Sequence, residues 1–197
     1  YLVWQGGRAR VWIDLGAGSV LRFGESGARF SDLDALLISH HHVDHDADVD
    51  ALAKSAYFSD RARPLPVWGP APGGPVTGTT QLFTALLHPE TGLYRYLGAQ
   101  LDPASPFHFQ LHDLPPTGEE PARVFAGEDL QIFAASAPHG AIPTLAWRVE
   151  LGGRSLAFTS DTTAQGPALV KLASGVDLLV AHPALPDASE GQPTHHH

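Results

Sequence analysis

The stretch "LLISHHHVDHDADVD", residues 36–50, decides how this chain is read. It opens on the apolar run Leu36-Leu37-Ile38, then crowds four histidines and four aspartates into its last eleven positions. A short apolar run bounded by polar residues predicts a buried strand, here ending at Ser39. In extended backbone, residues i and i+2 face the same way. His40 and His42 therefore address one locus, and His41 points away from it. Asp44 and His45 follow where the chain turns toward a helix, and they can address a second locus nearby. A surface loop could carry these side chains as mere polarity. As ligands, His-x-His-x-Asp-His supplies two ions from one turn. Asp46, Asp48 and Asp50 read instead as the acidic first turn of the next helix, which the helix dipole favours.

Composition narrows the chemistry. The 197 residues are 43% hydrophobic, enough for one domain with a layered core over 1–197. There is no cysteine, so any metal must be held by histidines and carboxylates. No apolar run approaches the ~20 residues that cross a bilayer, so no membrane partner is expected. The formal charge of −9 argues against a large nucleic-acid footprint. Arg61 and Arg63 are the nearest approach to a basic cluster. The chain starts in mid-strand with "YLVWQGG" and ends "GQPTHHH", so it is expected to be incomplete at both ends. A cytoplasmic protein, with homodimerisation open, is the expectation.

Hairpins punctuated by helices run along the chain. "YLVWQGGRARVWID" predicts two strands around Gly6-Gly7, and "TLAWRVELGGRSLAFTSD" two more around Gly152-Gly153. Helical spacing of Val49, Leu52, Ala53 and Ala56 predicts a helix near 46–58. "TTQLFTALL" and "TGLYRYLGAQL" read as two further helices, "ALVKLA" as a short one, and "VDLLVAHP" as a buried strand. A strand-rich α/β sandwich with helices outside the sheets fits this order.

One topology recurs: strands end in a potential ligand. Ser39-His40, His139 and Asp161 each follow a strand, as do His182 and Asp14. Loops at strand ends of a rigid scaffold are where sites are usually built. Asp14 reads as a group that orients a ligand histidine. His88, His108 and His112 read as unrelated to the site.

Taken together, "HHHVDH", "APHG" and "FTSDT" resemble the motifs of the metallo-β-lactamase superfamily of metal-dependent hydrolases, and "IDLGAG" resembles its first motif. "VDLLVAHPAL" is similar to the segment that follows the bridging aspartate in the ribonuclease Z and small-phosphodiesterase branch. The resemblance runs from Leu2 to about Leu185. It implies a four-layer αβ/βα sandwich and a two-metal site: one ion on His40, His42 and His139, a second on Asp44 and His45, and Asp161 bridging. The superfamily usually supplies one more histidine from a later strand. No strand follows His182 to deliver it, and the terminal His195, His196 and His197 are weak substitutes.

The resemblance also bears on substrate. The branch carries a basic arm that grips tRNA, and this acidic chain shows none. The expectation is therefore a small-molecule ester, most simply a small phosphodiester, with large nucleic acid unlikely. Two zinc ions, or Mn²⁺ or Fe²⁺, would acidify a bridging water. Asp44 would orient that water as a catalytic residue, and His182 would donate a proton to the leaving group. Lactone or β-lactam hydrolysis on the same site, or a metal-binding scaffold without activity, are the alternatives.

Overall fold

Gly6 and Gly7 both take positive φ, 56° and 76°, as a two-residue hairpin turn of this hand requires. They join β1 (Leu2–Gln5) to β2 (Arg8–Ile13) in an antiparallel pair. A computed structural model of the chain describes residues 1–163 and 166–182; His195, His196 and His197 lie outside the described residues. The chain divides into two compact units: Tyr1–Pro72 with Val76–Leu114, and Gly73–Pro75 with the chain from Pro115 onward.

In the first unit, β3 (Ala35–Leu37), β4 (Leu65–Pro70) and β5 (Phe109–Leu114) extend the hairpin into a sheet of order β1-β2-β3-β4-β5. Every pairing after the first is parallel. Sequence reading had this part as hairpins and helices in series; the parallel pairing explains why β3 and β4 read as nearly unbroken apolar runs. Parallel neighbours in sequential order need crossovers of one hand, which set the intervening helices on one face. The crossovers are α1 (Ser19–Glu25), α2 (Val43–Asp46), α3 (Val49–Tyr57) and α4 (Thr79–Leu87). Leu52, Ala53, Phe83 and Leu87 of these helices meet Trp12, Leu36, Ile38 and Val67 of the sheet in one apolar core.

Two differences from the sequence reading have physical causes. The helix α1 is absent from the reading, because "SVLRFGE" buries no residue of its own. It docks by Phe23, which stacks on Trp12 at 4.3 Å. "TGLYRYLGAQL" forms a 3₁₀ helix over Arg95–Leu101 in place of an α-helix. At Gly98 the backbone passes so close to Pro89 that a Cβ would lie 2.8 Å from it.

The second unit is a meander with one crossover. Strands β6 (Ala122–Ala126), β7 (Leu130–Ser136), β8 (Leu145–Leu151) and β9 (Arg154–Phe158) pair antiparallel in sequence order. Helix α5 (Pro167–Ala173) then returns the chain to β10 (Leu178–Val180), parallel to β9. Ala135, Ala146 and Ala157 make a shallow sheet surface on which Leu169 and Leu172 of α5 seat. The strand β10 was expected to be buried. Among the described residues it is the edge strand of its sheet, with Leu178 and Leu179 about half exposed. Among the described residues no helix is long and apolar enough to cross a membrane.

Candidate metal centre

At the C-terminal end of β2 the chain takes a left-handed residue, Asp14, with φ 59°. A non-glycine residue in that region is strained and needs surrounding bonds to hold it. Asp14 has them: Oδ1 accepts the Ser39 amide at 2.7 Å, and Oδ2 accepts the Ser39 hydroxyl at 2.8 Å and lies 2.9 Å from His45 Nδ1. The Leu15 amide donates to the His45 carbonyl at 2.7 Å, and the Asp48 amide donates back to Leu15 at 2.8 Å. Gly16 presses on the same loop, since a Cβ there would sit 2.1 Å from the Asp44 carbonyl oxygen. The "IDLG" segment thus forms the bed on which residues 39–48 lie.

The rings on that bed are oriented from behind. Ser39 Oγ is 3.1 Å from His40 Nδ1. With the Ser39 proton on Asp14, its oxygen accepts from His40 Nδ1, which leaves Nε2 as the ring's lone-pair nitrogen. That Nε2 is 3.1 Å from Nδ1 of His42. Asp14 acts likewise on His45: its carboxylate accepts a hydrogen bond from Nδ1–H, and Nε2 lies 3.6 Å from Oδ2 of Asp44. His40 and His42 therefore converge, as period-two alternation predicts, and His40 also offers a ring nitrogen within 4.8 Å of one on His45. Sequence reading missed Ser39 as an orienting group; its position beside Asp14 depends on β2–β3 pairing.

His41 turns the other way, as expected. Its ring is buried between Asp46 Oδ2 and Thr79 Oγ1, 3.0 Å from each. The three later aspartates do not form one acidic helix turn. Asp46 serves His41, Asp48 accepts the Val20 amide at 2.8 Å at the start of α1, and Asp50 stands in the first turn of α3, accepting from Ala51 and from the Tyr94 hydroxyl.

In the second unit, three segments are tied together. The Pro138 carbonyl, just before the buried His139, accepts from the Thr163 amide at 2.8 Å and the Thr162 hydroxyl at 3.0 Å. Asp161 follows Ser160, the other left-handed non-glycine among the described residues, with φ 56°. Beyond β10, the His182 amide donates to Thr159 Oγ1 at 3.0 Å, and His182 Nδ1 lies 2.7 Å from Asp161 Oδ1. His88, His108 and His112 stand elsewhere: His88 at the end of α4, His108 on the Ser105 carbonyl, and His112 stacked on Trp68.

The family model of the beta-lactamase superfamily domain matches residues 12–197. This chain belongs to the metallo-β-lactamase superfamily. A ribonuclease Z from Mycobacterium marinum is 30% identical over 186 residues, covering 91% of this chain and 61% of that protein. A second, from Methanopyrus kandleri, is 41% identical over 64 residues, covering 32% of this chain and 23% of that protein. The chain spans about three fifths of the length of the M. marinum relative. Among solved structures, human tRNase Z, short form, superposes with a TM-score of 0.72 at 22% identity, over 95% of this chain and 71% of that one. Zn²⁺-bound PqqB from Methylobacterium extorquens gives 0.60 at 14% identity, over 91% of this chain and 58% of that one. The fold is thus the metallo-β-lactamase fold expected, and the relatives are those the motifs resemble.

One expectation fails. A small-molecule ester partner, with large nucleic acid unlikely, was inferred from acidity and from the missing basic arm. The M. marinum relative, similar in sequence along nine tenths of this chain, is named a ribonuclease. Net charge sums over the whole surface and does not report where the cations stand.

Proposed function

We propose that this chain carries the metal site of a ribonuclease Z-like hydrolase that cleaves phosphodiester bonds in RNA, with residues 1–197 acting as one metallo-hydrolase domain. The observation that carries the reading is the donor arrangement on the 39–48 loop. Each back-side nitrogen of His40 and His45 is already engaged, by Ser39 and Asp14, and each remaining nitrogen is turned toward a second ligand-type group. Carboxylate–histidine pairs of this kind fix ring orientation and raise ligand basicity. Two nitrogens bound to one tetrahedral zinc at ~2.0–2.1 Å would stand about 3.3 Å apart. The 3.1 Å between His40 and His42 fits that spacing.

The ligand set we propose is His40, His42 and His139 for one ion, Asp44 and His45 for a second, and Asp161 shared between them. Zn²⁺ suits this nitrogen and oxygen set, and Mn²⁺ or Fe²⁺ would also be accepted. When bound, such ions acidify water and polarise a phosphoryl oxygen. Asp44, with its side chain largely exposed, holds and orients the attacking water. His182 is held through Nδ1 by Asp161, so Nε2 is available to pass a proton to the departing oxygen. RNA as substrate is supported by the ribonuclease relatives over 91% of the chain.

The test is metal analysis of purified protein alongside cleavage of bis(p-nitrophenyl) phosphate and of a tRNA precursor bearing a 3′ extension. Two equivalents of metal with cleavage of both substrates is the expected result, and His42→Ala should lose both cleavage activities. A metal-loaded protein that cleaves lactones or β-lactams but no phosphodiester would overturn the reading.

A further inference from the structure

Lys54 and Tyr57 of α3 and its C-cap residue Phe58 sit at i, i+3 and i+4, the spacing that puts side chains on one helix face. The Lys54 ammonium lies 5.2 Å from the Tyr57 ring centroid, 4.7 Å from that of Phe58 and 5.1 Å from that of Tyr96 on the 3₁₀ helix. All three rings face solvent, 57%, 73% and 62% exposed respectively. Three large aromatics around one cation is not how a chain hides apolar surface. Lys54 has no carboxylate partner among the described residues. Asp50, one turn earlier, is engaged by the Ala51 amide and the Tyr94 hydroxyl.

We infer that this patch is a docking surface for single-stranded RNA, with Lys54 meeting phosphate and the Tyr57, Phe58 and Tyr96 rings stacking bases. The inference rests on the RNA-cleaving reading above and adds where the strand is held. Aromatic platforms combined with cations are how proteins grip unpaired bases with little regard to sequence. A second copy of the chain fits less well. Lysine is depleted at the cores of protein interfaces, and an apolar partner would strip water from the ammonium without supplying a counter-charge. A polynucleotide brings both a phosphate for the cation and flat bases for the rings. The patch also lies on the helix that leaves the ligand loop. At ~1.5 Å per residue, Phe58 is roughly 15 Å along α3 from Asp48, a span that a few nucleotides of one strand can cover.

The test is anisotropy of a fluorescein-labelled oligouridylate titrated with the metal-loaded protein at two salt concentrations. Hydrolysis of bis(p-nitrophenyl) phosphate and light scattering are measured on the same samples. The double variant Phe58→Ala/Tyr96→Ala should bind the oligonucleotide about tenfold or more weakly. Phe58→Tyr/Tyr96→Phe, which keeps both rings, should bind like the parent. Lys54→Gln should lower the slope of log affinity against log salt by about one. All variants should hydrolyse the small diester at the parent rate and melt at the parent temperature. Unchanged RNA affinity in both the double variant and Lys54→Gln overturns the inference. So does a parent that hydrolyses the diester yet binds no oligonucleotide, or a dimer that the double variant dissociates without loss of RNA affinity. A parent that binds RNA through the patch but cleaves no phosphodiester would sink the RNA-cleaving reading and leave the docking surface standing.

Discussion

The Asp14 carboxylate lies 2.9 Å from the His45 ring, and its other oxygen takes the Ser39 amide at 2.7 Å. One side chain, itself in left-handed backbone, therefore sets both the tautomer of a proposed ligand ring and the entry of the loop that carries it. Asp14→Ala should weaken metal binding by about 10–100-fold, read by competition with a calibrated chelator. Metal affinity equal to the parent's would show that His45 keeps its orientation without Asp14.

His41 and His42 are adjacent and should respond in opposite ways. His42→Ala removes a proposed ligand and should lower bound metal, with little change in the unfolding midpoint of the metal-free protein. His41→Ala leaves Asp46 and Thr79 facing a buried gap. It should cost about 1–3 kcal/mol of stability while metal content holds. Metal analysis beside urea unfolding separates the two. Equal loss of metal in both variants would refute the alternation of side chains along residues 40–42.

Arg61 is a buried cation of the first unit. Its guanidinium donates to the carbonyls of Phe30, Leu33, Arg63 and Pro64 at 2.6–3.0 Å. Burial pulls its pKa down to about 10, which leaves it charged at neutral pH. Arg61→Leu takes the guanidinium from four carbonyls, of which Leu33 keeps the Arg63 guanidinium and Phe30 keeps the Leu33 amide, and should destabilise the protein by about 3–5 kcal/mol. Arg61→Lys should recover only part of that, since an ammonium cannot span the same fork. Urea unfolding midpoints give the comparison.

His112 gives a pH signature. Burial against Trp68 holds its pKa below the ordinary 6.5. The unfolded chain then takes up the proton more readily than the folded one, so this residue's contribution is full above about pH 6.5 and is lost as pH falls below it. His112→Phe keeps the stacking and removes the titration. Its melting temperature should rise relative to the parent's between about pH 7 and pH 5. A constant difference across that range would exclude the effect.

Much of this was legible in the sequence, and what was not has definite causes. The glycine pairs at 6–7 and 152–153 announced their hairpins because two consecutive positive φ angles leave few other residues possible. The convergence of His40 and His42 away from His41 was legible because alternation is a local property of extended chain. Ser39 as an orienting group and Thr79 as the partner of His41, 38 residues away, were not, because each depends on which strands and helices become neighbours. The parallel first sheet was obscured for the same reason. Partner class was misread because net charge averages over the whole surface and says nothing of where the cations stand, while the relative matched over 91% of the chain is named a ribonuclease.

The Pro138 carbonyl joins the loop before His139 to the loop after Asp161. Everything between those loops is the β8–β9 hairpin, whose Gly152-Gly153 tip is exposed. Both ends of the intervening chain are thus pinned to each other, while its far end is exposed and tied by the Gly152 amide to the Asp129 carbonyl. New sequence can enter at that tip without moving either loop. The clasp makes this hairpin a place where this chain can carry an appendage at little cost to the residues beneath it.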